Sequence, residues 1–261
     1  MTSDRVLPLE GVHNFRDRGG YSVSGGGRLR RGMLWRSGQH HGATEADLKQ
    51  IAAVELTQVF DLRTSKERVS YPCRRPAGFG AEIFLSADPS GTGAPHVAAA
   101  MLETMRTPQA MRERMVRIYH KIAFRPELQG AIRRYLAGLA EGAGPSLVNC
   151  LAGKDRTGMT VLMLHLATGV HRDDAVADYL LTNTAGDVEA RIEAGANAIR
   201  DIIGPVDDAV MRVLMGVEAE YLDAALTAII ARHGSTDAYL NDAVGADDAL
   251  RELLRAALVE G

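Results

Sequence analysis

Residues 146–169, SLVNCLAGKDRTGMTVLMLHLATG, decide the fold. Ser146–Asn149 predicts a short apolar strand, and the almost wholly apolar stretch Thr157–Leu166 predicts a buried helix that stops before Gly169. A turn over Cys150–Arg156 joins the two. A strand, a tight loop and a buried helix form the unit on which phosphate sites are built, because free backbone N–H groups lie at the helix N-terminus.

Strands and helices alternate through the rest of the first two thirds of the chain. We predict further strands at Arg28–Trp35, Glu55–Leu62 and Ala81–Ser86, and helices at Thr44–Val54, Pro108–Ala123 and Pro126–Ala140. No strand is predicted in the last ninety residues, where the best helices are Asp173–Thr184, Ala209–Arg232 and Asp247–Leu258. The pattern predicts an α/β fold, with a mostly parallel sheet of four to five strands flanked by helices and a helical C-terminal part from about residue 171 to 261.

Length and composition exclude several classes of protein. A chain of 261 residues with 46% hydrophobic and 24% charged residues is typical of a globular protein, and we expect one domain over residues 1–261. Two cysteines are too few for a disulfide framework, and no apolar run is long enough for a membrane span. Residues 1–5 lack a hydrophobic signal region, which predicts a cytoplasmic protein.

Charge is divided unevenly along the chain. Residues 171–261 hold 7 Arg and 18 acidic residues, a net charge of −11, which leaves +8 for residues 1–170. The positive part is consistent either with an anionic substrate or with an ordinary solvated surface. Aromatic residues make up only 5% and no basic run alternates with them, so the pattern argues against a nucleic-acid groove.

The loop of residues 149–158 carries the candidate chemistry. The positive end of the helix, together with Lys154 and Arg156, would stabilise a thiolate on Cys150, which is a nucleophile. Gly153 permits unusual backbone angles, so the N–H groups from Leu151 to Arg156 can surround one phosphate group. The backbone and side chains of the loop are therefore predicted to bind substrate, at Leu151, Ala152, Gly153, Lys154, Thr157 and Gly158.

Two side chains that follow complete the predicted reaction. Arg156 can hold two phosphoryl oxygens in a fork while the Cys150 sulfur attacks, which gives a cysteinyl-phosphate that water hydrolyses. The Thr157 hydroxyl can hydrogen-bond the departing sulfur in the second step.

The segment Cys150–Gly158 resembles the signature of the bacterial atypical tyrosine phosphatases, which have an HCxxGKDRTG loop. Other segments resemble the same family and extend the resemblance over nearly the whole chain: Asn14–Tyr21, Leu34–Ser37, Val59–Ser65, Asp178–Asn183 and Tyr221–Gly245. The resemblance implies a cysteine-phosphatase-like fold and the hydrolysis of phosphotyrosine, with phosphoserine, phosphothreonine and phosphoinositides as further substrates. It implies no cofactor and no metal, leaves the oligomeric state open, and leaves export without a signal sequence open.

Two residues depart from the family pattern. Asn149 stands where the family has histidine, so support for the thiolate is expected to be weaker. Arg18 replaces an apolar residue, and the expected consequence is confined to local packing.

Three aspartates are candidates for the acid that protonates the leaving group. Asp155 lies within the loop, and the resemblance favours it. Asp88 lies on a predicted loop where ordinary tyrosine phosphatases carry a mobile acid, although an Asp before Pro is common in turns. Asp61, at a strand end, could assist, orient Arg156 or simply form a salt bridge.

Several features have two interpretations. Lys154 either contacts a second substrate phosphate, as in phosphoinositides, or only raises the local potential. Cys73 is either an idle thiol or a partner that traps oxidised Cys150 as a disulfide. His40 and His41 lack clustered ligand partners and predict a polar loop, and His165 predicts a core histidine whose ring is hydrogen-bonded.

Three alternatives to a tyrosine phosphatase remain at this point. The first is a phosphoinositide phosphatase as the main activity. The second is a phosphate-binding module without catalysis, which Asn149 slightly favours. The third is sulfur transfer, which also uses a cysteine on a strand-to-helix loop, although the Arg156-Thr157 ending favours phosphate.

Overall fold

A five-stranded sheet forms the centre of the computed structural model, which describes residues 4–87, 107–142 and 144–261. Its strand order is β1-β3-β6-β4-β5, where the strands are β1 Arg16–Asp17, β3 Leu34–Ser37, β6 Ser146–Asn149, β4 Gln58–Asp61 and β5 Glu82–Leu85. Only β1 runs antiparallel, to β3, and the other neighbours are parallel. The mostly parallel sheet of the prediction is confirmed.

The strand that precedes the loop lies in the middle of this sheet. β6 pairs with β3 on one side and β4 on the other, and Asn149 is opposite both Ser37 and Asp61. All four residues of β6 are buried, as expected for a strand covered on both faces. The carboxyl ends of three parallel strands therefore meet where the loop begins, a usual place for ligand sites in such sheets.

Helices cover the sheet and make up the C-terminal part. Those before the loop are α1 Glu45–Ala52, α2 Ser65–Ser70, α3 Pro108–Ile122 and α4 Pro126–Ala140. Those after it are α5 Asp155–Thr168, α6 Arg172–Leu180, α7 Val188–Ile203, α8 Asp208–Met215, α9 Ala219–His233, α10 Thr236–Asp242 and α11 Asp248–Leu258. Helix α5 is buried over almost its whole length, which explains its apolar sequence, and no helix in the described ranges is long and apolar enough to span a bilayer.

Two predicted elements are each divided in the structure. The predicted strand Arg28–Trp35 is broken by a turn in which the Gly32 N–H donates to Asp17, so that only β2 Arg28–Leu29 and β3 are extended. The predicted helix Ala209–Arg232 is interrupted because the side-chain amide of Asn183 takes both backbone groups of Val217, at 2.8 and 2.9 Å. Local sequence carries no sign of that distant amide.

The prediction of a C-terminal part without strands is wrong in one detail. β7 Val259–Glu260 pairs antiparallel with β2, and the Arg30 N–H donates to the Leu258 carbonyl. The chain end thus joins the two-residue β2 into a small second sheet. A two-residue strand has no periodicity that a sequence pattern could reveal.

Candidate active site

Cys150 directly follows the central strand β6 and precedes the helix α5. Its side chain is 3% exposed, and the loop after it turns within five residues into the first turn of α5, where Asp155 and Arg156 lie. The strand, loop and helix unit predicted from the sequence is therefore present. Lys154 is the N-cap residue and has no side-chain cap hydrogen bond, so the N-terminus of α5 is uncapped by side chains.

The carbonyl groups of the loop are bound from outside. The Gly153 carbonyl accepts hydrogen bonds from Asn14 Nδ2 at 2.8 Å and from Arg36 Nη2 at 2.9 Å. The Leu151 carbonyl accepts one from the Gln39 N–H at 3.0 Å. Asn14 and Arg36 belong to two segments that the family resemblance had marked without giving them a function, whereas Gln39 lies outside those segments.

The amide groups of the same loop are free. Within the described residues, no acceptor contacts the backbone N–H groups of residues 151–156, and the first backbone bond after them runs from the Gly158 N–H to the Lys154 carbonyl. Six successive N–H groups with bound carbonyls on the other side form the arrangement that holds phosphate in anion-binding loops. An anion at this place would also experience the positive end of α5.

Position 153 requires glycine, because both the backbone angle and the lack of space exclude a side chain. Its φ is +64°, and a Cβ at this position would lie 2.4 Å from the carbonyl carbon of Ser37. We expect Gly153→Ala to lower the free energy of unfolding by at least about 2 kcal/mol, since it combines backbone strain with a clash against fixed backbone. Chemical denaturation measures this loss.

Gly130 in α4 is the matched control, since nothing lies within 4 Å of a Cβ there. Gly130→Ala is expected to leave stability unchanged or to raise it by up to about 1 kcal/mol. Equal stability of the two variants would contradict the account of Gly153.

A buried cluster of charged side chains holds Arg36, which binds the Gly153 carbonyl of the loop. Arg36 Nη1 lies 3.1 Å from Asp178 Oδ2, and Arg16 Nη2 donates to the Asp178 carbonyl at 2.7 Å. Burial opposes ionisation of Asp178, but Arg16 and Arg36 hold its pKa well below the usual range. Burial and the neighbouring Arg36 in turn lower the pKa of Arg16 to about 9. The carboxylate thus fixes the arginine that binds the Gly153 carbonyl.

Of two nearby buried residues, Arg18 agrees with its expected role and His165 differs in one respect. Arg18 is fully buried and donates to the Tyr135 hydroxyl, so it does act in local packing. His165 is buried as predicted, but the expectation of a hydrogen-bonded ring is wrong, since neither ring nitrogen has a partner in the part of the chain described. Burial lowers the pKa of His165 to about 3, so the ring is neutral at ordinary pH.

Arg156 is held by a residue that the sequence analysis missed. Its Nη1 and Nη2 lie 2.7 and 2.6 Å from the two carboxylate oxygens of Glu67, and Nη1 also donates to the Leu62 carbonyl at 3.0 Å. Burial raises the pKa of Glu67, but the Arg156 hydrogen bonds outweigh it and the net pKa is lowered. The capping box Thr64–Glu67 was the available signal, because it places Glu67 in the first turn of α2 just after β4.

The contacts of Arg156 leave one edge of its guanidinium open. A guanidinium has five N–H groups, and both on Nη1 and one on Nη2 are used by Glu67 and Leu62. Nε–H and the second Nη2–H point to the same side and have no partner among the described residues. They form the side-on fork that matches two phosphoryl oxygens.

The contacts of the Asp155 carboxylate fall on one of its two oxygens. Tyr119 donates its hydroxyl to Asp155 Oδ1 at 2.8 Å, and Lys154 Nζ lies 3.5 Å from the same oxygen. Lys154 is 3% exposed and its ammonium also donates to the Leu214 carbonyl. Burial lowers the pKa of Lys154, although Asp155 opposes this.

The two residues that end the loop are enclosed. The Thr157 hydroxyl is buried and has no hydrogen-bond partner in the described ranges. At Gly158 a Cβ would lie 2.8 Å from the Tyr179 ring, so only glycine allows α6 to pack closely on α5 at this point.

The side chains of Asn149 and Asp61 contact each other. Asn149 Nδ2 lies 3.4 Å from Asp61 Oδ1, and Asp61 also binds Arg63 through both carboxylate oxygens. The carboxylate contact of Arg156 is made by Glu67. Asp61 is therefore placed as a buried structural partner of Arg63, one of the interpretations left open by the sequence.

The remaining candidates are not part of the loop itself. Asp88 is outside the described residues. Cys73 is half-buried, and its sulfur accepts from the His40 N–H at 3.2 Å. His40 itself is buried and its Nε2 lies 2.9 Å from the Ser37 hydroxyl. No group of three potential metal ligands occurs within the part of the chain that the structure describes.

Two clefts adjoin the loop and share Ala152 and Met215. One, of about 440 Å³, is lined by Lys154, Asp155 and Arg156. The other, of about 430 Å³, is lined by Leu151 and by residues of the chain that precede α1. Cys150 is not among the lining residues of either cleft, and Ala152 is the loop residue that the two clefts share. The arrangement can bind an anion against the loop and expose it to Asp155 and Arg156.

Comparisons with known proteins agree with the geometry. A sequence model described as the tyrosine phosphatase family matches residues 7–260. The chain is 36% identical to a protein of Cupriavidus necator whose name assigns it to the tyrosine-protein phosphatases, over 93% of this chain and 85% of that protein. It is 31% identical to the triple specificity protein phosphatase PtpB of Mycobacterium tuberculosis, over 97% of this chain and 99% of that protein. The resemblance seen in the loop and its flanking segments is thereby confirmed, and the chain belongs to the tyrosine phosphatase family.

Proposed function

We propose that this phosphatase hydrolyses phosphate monoesters through a covalent cysteinyl-phosphate on Cys150. The observation that carries the proposal is the loop itself, whose amides at 151–156 are free while its carbonyls at 151 and 153 are bound from outside. Such a loop presents N–H groups to an anion and has a nucleophilic residue at its first position. Arg156 adds its open fork to the same anion.

The reaction has two steps. The Cys150 thiolate attacks phosphorus, the bond between phosphorus and the ester oxygen breaks, and Asp155 gives its proton to the leaving oxygen. Water then attacks the phosphoryl group, Asp155 takes a proton from that water, and the bond between sulfur and phosphorus breaks. Inorganic phosphate and the thiolate are released, and the enclosed Thr157 hydroxyl is available to the sulfur as it leaves.

Stabilisation of the transition state falls to the loop and Arg156. Charge on the phosphoryl oxygens is met by fixed N–H dipoles and by a guanidinium that Glu67 already orients. Because Glu67 binds the end of the guanidinium and not its side, orientation does not compete with phosphate binding.

The cleft beside Arg156 supports phosphotyrosine as the first substrate. Apolar side chains line much of its wall: Met115, Ile118, Ile122, Leu214 and Met215. An aromatic ring suits such a wall better than a polyhydroxylated ring, because burying hydroxyls without partners costs free energy. The position of Lys154 also favours a role in the local potential, since its ammonium contacts the Leu214 carbonyl and Asp155.

A trapping experiment tests the proposal. The wild-type protein is quenched with acid during turnover of p-nitrophenyl phosphate and digested, and the peptide that contains Cys150 is weighed. We expect this peptide to carry one added phosphoryl group. Turnover with the phosphoryl group on another residue would refute the mechanism, and a wild-type protein without turnover would support the binding module.

The second candidate substrate class is the phosphoinositides, which the resemblance of the loop to its family implies. A panel of phosphotyrosine, phosphoserine and phosphothreonine peptides and phosphoinositide vesicles ranks these substrates by kcat/KM. We expect phosphotyrosine peptides to rank first. A higher kcat/KM for phosphoinositides would assign the main activity to lipid.

Asp155→Asn tests the general acid. We expect kcat/KM for phenyl phosphate to fall by about 10²-fold, because the leaving phenolate has a conjugate acid of pKa about 10 and departs poorly without a proton. The loss with p-nitrophenyl phosphate, whose leaving group is more acidic, should be much smaller. Equal losses across a series of aryl phosphates would remove the assignment.

A further inference from the structure

Two buried tyrosines outside the loop form a hydrogen-bond chain that ends on Asp155. Tyr179 in α6 and Tyr119 in α3 have their hydroxyl oxygens 2.6 Å apart, and the Tyr119 hydroxyl lies 2.8 Å from Asp155 Oδ1. The exposed fractions of the two tyrosines are 1% and 0%. The sequence analysis assigned neither tyrosine a role.

Both tyrosines stay protonated at ordinary pH. Burial, followed by the nearby Asp155, raises the pKa of each well above its usual value. Each tyrosine hydroxyl therefore donates one hydrogen within the hydrogen-bond chain.

In one direction of the hydrogen-bond chain, both hydroxyl hydrogens have an acceptor. When Tyr119 donates to Asp155, the Tyr119 oxygen is left to accept from Tyr179. The reverse direction would have Asp155 donate to Tyr119 and Tyr119 donate to Tyr179. The Tyr179 hydrogen would then have no acceptor among the described residues, which is costly for a buried hydroxyl.

The other contact of Asp155 falls on the same oxygen. Lys154 Nζ lies 3.5 Å from Oδ1, while no contact reaches Oδ2 within the described part of the chain. The side chain of Asp155 is 32% exposed and lines the cleft beside Arg156. A carboxylic acid that accepts a hydrogen bond at one oxygen and faces an ammonium group with that same oxygen carries its proton on the other.

We propose that the Tyr179–Tyr119 chain orients Asp155 and reserves Oδ2 as the oxygen that carries the proton for the leaving group. Tyr119 and Tyr179 are thus positioning residues, and the inference rests on the proposed role of Asp155 as general acid. The chain also links that role to α6, whose Asp178 fixes Arg36 and through it the Gly153 carbonyl.

The test compares hydroxyl deletions over a series of aryl phosphates of decreasing leaving-group acidity. kcat/KM is the measured quantity because it reports the step in which the ester bond breaks. For Tyr119→Phe we expect a loss of about 10-fold with phenyl phosphate and of less than about 2-fold with p-nitrophenyl phosphate. Tyr179→Phe should act in the same direction with a smaller loss.

Tyr221→Phe is the matched control. Tyr221 is also fully buried, its ring centroid lies 5.5 Å from that of Tyr119, and its hydroxyl has no partner in the described residues. This variant should keep the wild-type dependence on the leaving group. A Tyr221→Phe effect equal to that of Tyr119→Phe would show that loss of any buried hydroxyl in this cluster suffices, which would overturn the proposal.

A double variant that combines Tyr119→Phe with Asp155→Asn separates a positioning role of Tyr119 from general structural damage. Tyr119→Phe should add no loss that depends on the leaving group once Asp155 cannot give a proton. The proposal would be overturned if Tyr119→Phe lowered kcat/KM by the same leaving-group-dependent factor in the double variant. It would also be overturned if Tyr119→Phe alone lowered kcat/KM equally for all aryl phosphates. If Asp155→Asn itself leaves the dependence unchanged, the acid assignment fails and this inference fails with it. If Asp155→Asn steepens the dependence and Tyr119→Phe does not, the inference alone fails.

Discussion

Cys150→Ser is expected to lower kcat with p-nitrophenyl phosphate by at least about 10⁴-fold, the scale on which removal of a catalytic nucleophile acts. A serine hydroxyl is a much weaker nucleophile than a cysteine thiolate, so the proposed attack on phosphorus is lost. The loop amides and Arg156 are unchanged in the variant, so a phosphotyrosine peptide should still bind. Steady-state rates and a binding titration measure the two effects.

Cys73→Ser is the matched control for this result. Cys73 is the other cysteine of the chain, lies at the His40 backbone and is not part of the loop. The control should keep turnover within about 2-fold of wild type, because Cys73 takes no part in the proposed reaction. Retained turnover in Cys150→Ser, or equal losses in both variants, would exclude Cys150 as the nucleophile.

Arg156→Lys should lower kcat/KM for aryl phosphates by about 10²- to 10³-fold, as found when one fixed donor to a developing oxyanion is lost. Lysine keeps the positive charge but has no planar fork, so it cannot bind Glu67 at one edge and two phosphoryl oxygens at the other. We expect kcat to fall as well as binding, because the fork matches the transition state best. The measurement is kcat and KM over a range of aryl phosphates.

Arg125→Lys serves as the comparison, since Arg125 lines the same cleft but is exposed and belongs to no contact with the loop in the described residues. Its kcat/KM should stay within a few-fold of wild type. A loss in Arg125→Lys as large as in Arg156→Lys would mean that positive charge at the cleft, and not the fork, stabilises the reaction.

The loop after β6 was predictable because its structure is local. An apolar strand, a glycine that tolerates φ of +64° and a continuous apolar helix follow one another in sequence, and each signal acts over a few residues. Cys150, Lys154, Asp155 and Arg156 therefore came out of the sequence as one cluster. The resemblance then marked the distant segments that hold this loop, without saying what they do.

The contacts that orient the cluster were not predictable in the same way. Glu67 is 89 residues from Arg156 and Tyr119 is 36 residues from Asp155, and neither pair has a spacing that repeats. Asp61 was considered as a partner for Arg156 on the ground that it ends a strand. In the structure Arg63 occupies both of its oxygens, and a helix that begins four residues later supplies Glu67 instead.

The order of residues in this chain by itself determined the local unit: a strand, a phosphate-type loop and a helix, with five residues between Cys150 and Arg156. Only the tertiary structure decided which groups bind the loop carbonyls, which carboxylate holds Arg156 and which oxygen of Asp155 is left free. The physical reason is the distance along the sequence over which each effect acts. Backbone propensity and periodicity act between near neighbours, whereas a buried hydrogen bond is set by how whole helices and strands pack, and that packing brings together residues whose spacing in the sequence carries no signal.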